Sequence, residues 1–233
     1  QCPQVLGFPY TSPWQKNKPK QKKILNIIII VILSLGILVM LLGILFLAYV
    51  VIKAPKFDVN QLNEKEPSIL YDIDGNEFER LGKEMREKVT YDELPEVLVD
   101  AIVATEDSRF FQHNGFAPRF LKASLGQAVG HSDAGGASTL SMQVIKNSFT
   151  SADDHGIKGI IRKFTDIYLA VFKLEKNYTK EQIIEFYVNN HNLGGNIYGV
   201  KQAALAYFNK DIGDLNLAEA SVLAGMFKAP NLY

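Results

Sequence analysis

The spacing of apolar residues divides the chain into one long hydrophobic run and a series of shorter segments with helical periodicity. Residues 24–52 carry no charge and are almost wholly apolar. About 20 apolar residues in a helix span a bilayer core, so this run can cross a membrane with some tilt. A secretory signal peptide has an apolar region of only about 7–15 residues. We therefore expect an uncleaved transmembrane helix over residues 24–52.

Turn and capping signals beyond this run predict a small β element followed by helices. Asp74-Gly75 lies between two alternating apolar runs, which is a hairpin signal. From about residue 92 the apolar positions take helical spacing, first in a segment that ends at Glu106. Capping-box pairs predict the start of two later helices: Thr179 with Gln182, and Asn216 with Glu219.

These patterns predict a mainly α protein with four segments. They are a basic tail (1–23), the transmembrane helix (24–52), a linker with the hairpin (53–91) and a helical domain (92–233). Lysines crowd the tail, and acidic residues follow the apolar run closely on its other side. Positive residues favour the cytoplasmic side of a membrane, so we expect a cytoplasmic N-terminus and an extracytoplasmic domain.

Charge and cysteine content exclude several classes of function. The chain has 25 basic and 25 acidic residues, but five of the basic ones lie in the tail, which leaves 20 against 25 elsewhere. That balance does not fit a nucleic-acid binder, which needs a strongly basic domain. Cys2 is the single cysteine, so an intrachain disulfide and a cysteine-based metal site are both excluded. The tail lysines are Lys16, Lys18, Lys20, Lys22 and Lys23.

The first polar segment that breaks the helical pattern is residues 105–115, where Glu106 ends an otherwise apolar helix. A carboxylate in that position is partly removed from water, which suits a general acid or base. His113 follows in the same segment. Taken alone, the segment is explained more simply by a solvated glutamate at a helix end and a locally bonded histidine.

The second polar segment runs from Gly135 to Asn147. Two glycines, hydroxyl residues that can cap, and a helix carrying Gln143 and Lys146 are compatible with a helix N-terminus that binds phosphate. The Gly-Lys-Ser/Thr ending of a Walker P-loop is missing. A loop that leads into a capped helix is the commoner meaning of such a pattern.

The third polar segment lies between residues 158 and 174. Lys158, Arg162 and Asp166 recur every fourth residue and therefore share one helix face. That face is either a cationic site for a diphosphate with a carboxylate beside it, or a surface ion pair worth about 0.2–0.5 kcal/mol. Solvent exposure equally explains a second polar helix face, which contains Gln182, Glu185 and Asn189.

In this order, the segments resemble the motifs of the peptidoglycan glycosyltransferase family, glycosyltransferase family 51, found in class A penicillin-binding proteins and monofunctional murein polymerases. Glu-Asp-x-x-Phe-x-x-His-x-Gly matches from Glu106 to Gly115. The motif Gly-x-Ser-Thr-x-[Thr/Ser]-Gln-Gln with its following Lys-Asn matches in most positions from Gly136 to Asn147, and Arg-Lys-x-x-Glu matches at Arg162 and Lys163. The resemblance extends from about residue 65 to residue 233.

The resemblance implies a lysozyme-like helical lobe with a small membrane-proximal lobe. It also implies a reaction in which an acceptor sugar's 4-hydroxyl attacks the anomeric carbon of a glycan on undecaprenyl diphosphate, giving a β-1,4 glycan from lipid II with inversion. In that reaction Glu106 would be the general base and Asp166 a second catalytic carboxylate. The implied substrate-binding residues are Asp107, Phe110, His113, Ser138, Thr139, Gln143, Lys146, Asn147, Arg162, Lys163, Glu185 and Asn189.

The same resemblance sets expectations for cofactors and partners. No organic cofactor is implied, and a divalent cation, Mg2+ or Mn2+, would have Asp166 as its candidate ligand. The expected partners are lipid II and the growing glycan, the membrane, and proteins of cell-wall synthesis or division. The expected location is the bacterial cell membrane, with a single pass.

The sequence departs from the family pattern at several positions. Asp166 stands where glutamate is usual, and about 1 Å of misplacement can cost roughly 100-fold in rate. If Asp166 is an impaired substitute, we expect Asp166→Glu to raise the rate, and if the site has re-adapted around aspartate, we expect it to lower the rate. Met142 replaces the first glutamine of the second motif. The chain begins at Gln1 and ends at Tyr233, before the family's last arginine-containing motif, so a fragment is expected. Aspartate, tyrosine and glycine are usual at three further positions, here Ala117, Asn192 and Asn209.

Two other functions fit parts of the pattern. A glutamate at a helix end also suits a lysozyme-like muramidase, although a hydrolase of neutral sugar bonds has no diphosphate for paired basic residues to neutralise. A membrane-bound scaffold that binds lipid II without turnover would account for Asp166, for Met142 and for the missing last motif. The intact first motif favours an enzyme instead.

Overall fold

A computed structural model describes residues 18–62, 68–81, 85–117, 138–150 and 156–230. Most of the predicted basic tail, the glycines at 135 and 136 of the second motif, and the last three residues lie outside these ranges. The chain divides into two compact units, residues 1–52 and residues 53–233.

The described part of the first unit is helical and belongs to helix α1, which spans Lys18–Lys53. Its 36 residues make a helix about 54 Å long at a rise of 1.5 Å per residue. From Ile24 to Ile52 its large apolar side chains are mostly exposed on every side, the distribution expected where the surroundings are lipid. The helix is long and apolar enough to cross a membrane, which confirms the predicted apolar helix.

Near its start, the second unit contains a β-hairpin, as the sequence predicts. Strand β1 (Ser68–Tyr71) pairs antiparallel with strand β2 (Glu77–Leu81). In the turn, Asp72 Oδ1 accepts hydrogen bonds from the backbone N–H groups of Asp74 (2.9 Å) and Asn76 (2.8 Å). Gly75 has a φ of +83°, which a residue without a Cβ adopts at no steric cost. A second short sheet, which the pattern does not predict, pairs β3 (Met85–Arg86) parallel to β4 (Ile197–Tyr198).

Helices form the rest of the described domain. Capping boxes at Thr179 and Asn216 start two of them, as predicted. The helices are α2 (Val59–Leu62), α3 (Glu96–Glu106), α4 (Leu140–Phe149), α5 (Gly156–Leu169), α6 (Lys180–Asn190), α7 (Val200–Phe208) and α8 (Leu217–Lys228). Helix α5 runs on into a π-helical turn at Ala170–Leu174 and a last α turn at Glu175–Asn177.

One hydrophobic core holds these helices together, with α3 packed on α8 and α4 on both α5 and α6. Part of the segment predicted to be a linker joins this core. Phe57 stacks on Phe149 with ring centroids 5.0 Å apart, and Leu62 is buried. The single apolar residues of that polar segment therefore anchor it to the helical domain.

Helix α6 uses its polar face to hold the chain that leads into α3. Asn189 Oδ1 accepts from the Val89 backbone N–H (3.0 Å), and Asn189 Nδ2 donates to the Val89 carbonyl (2.8 Å). Glu185 Oε2 accepts from the Tyr91 N–H at 3.2 Å. Contacts with the protein's own backbone thus explain this polar face, rather than solvent exposure. Substrate binding by Glu185 and Asn189 stays a prediction.

We predict that Asn189→Ala lowers the free energy of unfolding by about 2–3 kcal/mol, because it leaves the buried N–H and C=O of Val89 unpaired. Denaturant unfolding would measure the loss. Asn177→Ala is the matched control, since Asn177 makes an exposed bond to the Lys173 carbonyl, and it should cost less than about 0.5 kcal/mol. Equal losses in the two variants would contradict the role of Asn189.

Candidate active site

The C-terminal end of α3 meets one face of α4 at Glu106. Gln143, Lys146 and Asn147 follow helical spacing on α4 and so share a face. Gln143 Nε2 donates to Glu106 Oε2 at 2.8 Å, and the Tyr187 hydroxyl lies 3.5 Å from Gln143 Oε1. Glu106 is half-buried, as expected for a carboxylate at the end of an apolar helix. The amide of Gln143 therefore fixes the direction in which this carboxylate points.

The next residue, Asp107, is only 1% exposed and holds two segments together. Its Oδ2 is 2.8 Å from His113 Nε2 and 3.3 Å from the Leu140 backbone nitrogen. His113 Nδ1 accepts from the Gly115 N–H at 3.2 Å, so the proton of the neutral ring is on Nε2, where it donates to Asp107. The carboxylate thereby joins the loop after α3 to the start of α4.

The start of α4 is occupied by the protein itself. Besides the Leu140 bond to Asp107, Thr139 Oγ1 accepts from the Met142 N–H at 3.2 Å, and the Thr139 hydroxyl donates to the Gly115 carbonyl at 2.8 Å. Leu140 and Met142 are buried. The buried carboxylate of Asp107 already meets the positive end of this helix, which argues against the interpretation as a phosphate-binding helix N-terminus. The alternative interpretation, a capped helix, is confirmed.

Phe110 also lies inside the domain. Its side chain is fully buried, and Lys180 Nζ lies 4.3 Å from the ring centroid. The same Nζ donates to the His113 carbonyl (2.6 Å) and to Glu175 Oε1 (2.7 Å). Substrate binding by Asp107, Phe110, His113 and Thr139 stays a prediction, and the contacts of these residues stabilise the loop that follows Glu106.

The second carboxylate, Asp166, lies on α5 and is 3% exposed. Thr150 Oγ1 donates to its Oδ1 at 2.7 Å, and Arg162 Nη1 donates to its Oδ2 at 3.2 Å, so the predicted pairing along α5 is confirmed. Burial raises the pKa of Asp166 to about 6, and this effect outweighs the opposing effects of the Thr150 hydrogen bond and the Arg162 charge. Asp166 is thus the less exposed partner of the ion pair with Arg162.

Lys146 connects the two carboxylates electrostatically. Burial, followed by the nearby charge of Arg162, lowers its pKa, while Asp166 and Glu106 act in the opposite direction. Lys163 is half-buried and also stabilises the charged form of Asp166. Three cations from two helices therefore act on Asp166, and one of them, Lys146, also interacts with Glu106. Lys158 is exposed, and Ser138, which precedes the Thr139 cap, is half-buried.

The donor set around Asp166 fits a divalent cation poorly. Both carboxylate oxygens already accept hydrogen bonds, and the neighbouring Lys146 and Arg162 repel a cation. In the part of the chain that the structure describes, no group of three or more His, Cys, Asp and Glu side chains could hold a metal. These contacts suit an anion better than Mg2+ or Mn2+.

Sequence reasoning missed three side chains of this site. Thr150 caps the end of α4 and bonds to Asp166. Tyr187 is buried beside Gln143, and its pKa is raised by burial and by the charge of Glu106. His191, which follows α6, contacts Asn147. Their positions in the sequence give no signal, because they reach the site only through the packing of α4, α5 and α6.

Residues 74–233 match the family described as Transglycosylase. Penicillin-binding protein 1A of Neisseria gonorrhoeae is 39% identical over 183 residues, which are 78% of this chain and 22% of that protein. Penicillin-binding protein 1A/1B of Bacillus subtilis is 34% identical over 227 residues, 96% of this chain and 24% of that protein. The chain thus spans about a quarter of the length of the curated relatives that it matches.

The raised pKa of Asp166 predicts a specific pH dependence of stability. The folded protein holds this proton more tightly than the unfolded chain does, so the unfolding free energy falls as pH rises from about 4 to about 6. Asp166→Asn lacks this titration. The unfolding free energy of the variant minus that of the wild type should therefore increase by up to about 3 kcal/mol between pH 4 and pH 7 in denaturant unfolding. A difference that stays constant with pH would contradict the assignment.

Proposed function

This chain belongs to the transglycosylase family, and we propose that its helical domain polymerises lipid II into peptidoglycan glycan strands in bacterial cell-wall synthesis. The observation that supports the proposal most is the pairing of a half-buried, amide-oriented Glu106 with the cations around Asp166. Glycosyl transfer from a diphosphate requires both parts. A nucleophile must lose a proton, and an anionic leaving group must be stabilised.

Glu106 is the proposed general base. A sugar hydroxyl is weakly acidic, so a carboxylate within hydrogen-bond reach assists by removing its proton while the new bond forms. Gln143 Nε2 bonds to Oε2 of Glu106 at 2.8 Å, and the other oxygen, Oε1, is then the one proposed to accept the proton of the acceptor's 4-hydroxyl. Attack from the face opposite the leaving group gives inversion and a β-1,4 linkage.

Lys146, Arg162 and Lys163 are the proposed partners of the leaving undecaprenyl diphosphate. The leaving group accumulates negative charge as the anomeric bond breaks, so fixed cations in a partly desolvated site stabilise the transition state. Among the residues that the structure describes, the buried Nε of Arg162 has no hydrogen-bond partner, so the guanidinium has a donor that these contacts leave unused, and we propose that Arg162 donates to the diphosphate. Asp166 holds the guanidinium through its other end, at Nη1.

The membrane anchor suits a lipid-linked substrate. Helix α1 can cross a bilayer, and the five lysines among residues 16–23 favour a cytoplasmic N-terminus, with the catalytic domain on the outer face. Helix α5 also exposes Ile157, Ile160 and Phe164, an apolar row that can contact lipid near the substrate. Proteins of cell-wall synthesis or division are the proposed further partners.

Glu106→Gln should abolish glycan polymerisation, with a rate at least about 1,000-fold lower, because the amide cannot accept the hydroxyl proton. The melting temperature should stay within a few degrees. The test is gel analysis of glycan ladders made from purified lipid II by the detergent-solubilised chain. Glu96→Gln is the matched control on the same helix, since Glu96 is exposed at the opposite end. An active Glu106→Gln variant would refute the base assignment.

The contacts of Asp166 support the second of the two expected outcomes for Asp166→Glu, a lower rate. Asp166 is buried with both oxygens bonded, so an added methylene must displace Thr150 or Arg162. We therefore predict that Asp166→Glu lowers both the polymerisation rate and the melting temperature. An increased rate in the same ladder assay would show instead that aspartate is an impaired substitute.

A further inference from the structure

His191 is a half-buried, neutral side chain at the edge of the proposed site. It follows α6, and its ring lies against Tyr187 and Phe227 at centroid distances of 5.3 and 4.8 Å. Burial, and to a lesser extent the charge of Lys146, lowers the pKa of His191 to about 4. At neutral pH the ring therefore carries one proton, on one of its two nitrogens.

The partners of the ring decide which nitrogen carries that proton. His191 Nε2 is 3.0 Å from the backbone carbonyl oxygen of Phe227, and a carbonyl can only accept, so the proton is on Nε2. Nδ1 is then an acceptor. It lies 3.2 Å from the amide nitrogen of Asn147, which must donate to it. The assignment follows from hydrogen-bond chemistry.

One consequence concerns the orientation of the Asn147 amide. Since its nitrogen is held by His191, its Oδ1 is turned away from the ring, and Asn147 is exposed on the face of α4 that also carries Gln143 and Lys146. An exposed carbonyl oxygen accepts from a hydroxyl or an amide N–H and repels a phosphate oxygen. The ammonium group of Lys146, the preceding residue, can only donate, and it attracts a phosphate oxygen.

We propose that His191 is a positioning residue that fixes the Asn147 amide so that its oxygen accepts a hydrogen bond from a hydroxyl or acetamido N–H of the bound saccharide. The proposal rests on the glycosyltransferase function proposed above and adds a division of labour to it. Lys146 faces the diphosphate part of the substrate, and Asn147, oriented by His191, faces the sugar part.

Two substitutions separate this role from a packing role. His191→Phe keeps an aromatic ring between Tyr187 and Phe227 but removes the acceptor for Asn147. His191→Asn loses the ring and the bond to the Phe227 carbonyl, but its Oδ1 can occupy nearly the place of Nδ1 and accept from Asn147. Positioning and packing therefore predict opposite rankings of the two variants.

The experiment measures kcat and KM for lipid II in the glycan assay, together with melting temperatures. We expect His191→Phe to raise KM about tenfold with little change in kcat, which corresponds to the loss of one oriented hydrogen bond. His191→Asn should recover most of the KM despite a lower melting temperature. The double variant combines His191→Phe with Asn147→Ala. Its KM should equal that of Asn147→Ala alone, because both changes remove the contact between the Asn147 amide and the saccharide.

Two results would overturn the proposal. One is a KM in His191→Asn as high as in His191→Phe, and the other is a double variant whose fold-increase in KM is the product of the increases in the two single variants. A wild-type chain that makes no glycan would refute the proposed function instead. The positioning of Asn147 would then be tested by 15N NMR of the detergent-solubilised chain, with His191→Phe used to assign the signal. A protonated Nε2 and a contact between the Asn147 amide protons and the ring support the proposal, and a protonated Nδ1 overturns it.

Discussion

The geometry of the proposed site depends on one buried carboxylate, that of Asp107. It bonds to the His113 ring and to the first N–H of α4, at Leu140. Glu106 is its neighbour in the chain, so fixing Asp107 fixes the backbone of Glu106 relative to the helix that carries Gln143. A buried charge that loses its partners costs several kcal/mol. This structural role is sufficient to explain why an aspartate directly follows the proposed base, and the explanation does not require Asp107 to contact substrate.

A second constraint is the surplus of positive charge around Asp166, which Lys146 links to Glu106. Lys146, Arg162 and Lys163 outnumber the carboxylates of Glu106 and Asp166, and burial opposes the charge of both Lys146 and Asp166. Such a cluster is strained without an anion, because the cations repel one another in a partly desolvated place. A diphosphate relieves that strain, whereas a neutral glycan does not. The electrostatics thus favour transfer from a diphosphate over hydrolysis of a sugar chain.

Local signals in the sequence predicted local structure well, and contacts between distant segments escaped them. The hairpin turn at Gly75 and the capping box at Thr179 depend on residues within a few positions, so their patterns were sufficient. The bond from Asp107 to α4 spans 33 residues, and the pairing of Asn189 with Val89 spans 100. A polar residue that faces a distant backbone has the same helical spacing as one that faces water or substrate. Periodicity therefore identified the polar faces without identifying their partners.

The departures from the family pattern affect the fold more than the charged site. Met142 is buried in the core, Asn192 bonds to the backbone of Gly194 and Gly195 within its own loop, and Ala117 is buried. Asn209 ends α7 with a φ of +53°, a left-handed conformation that asparagine tolerates better than most residues and that glycine would also supply. Among these departures, only Asp166 changes a charged group of the proposed site. Its hydrogen bonds from Thr150 and Arg162 indicate that the neighbouring side chains fit the shorter carboxylate. Random decay would leave such a carboxylate with broken contacts, so the arrangement favours a working enzyme over a degenerate scaffold.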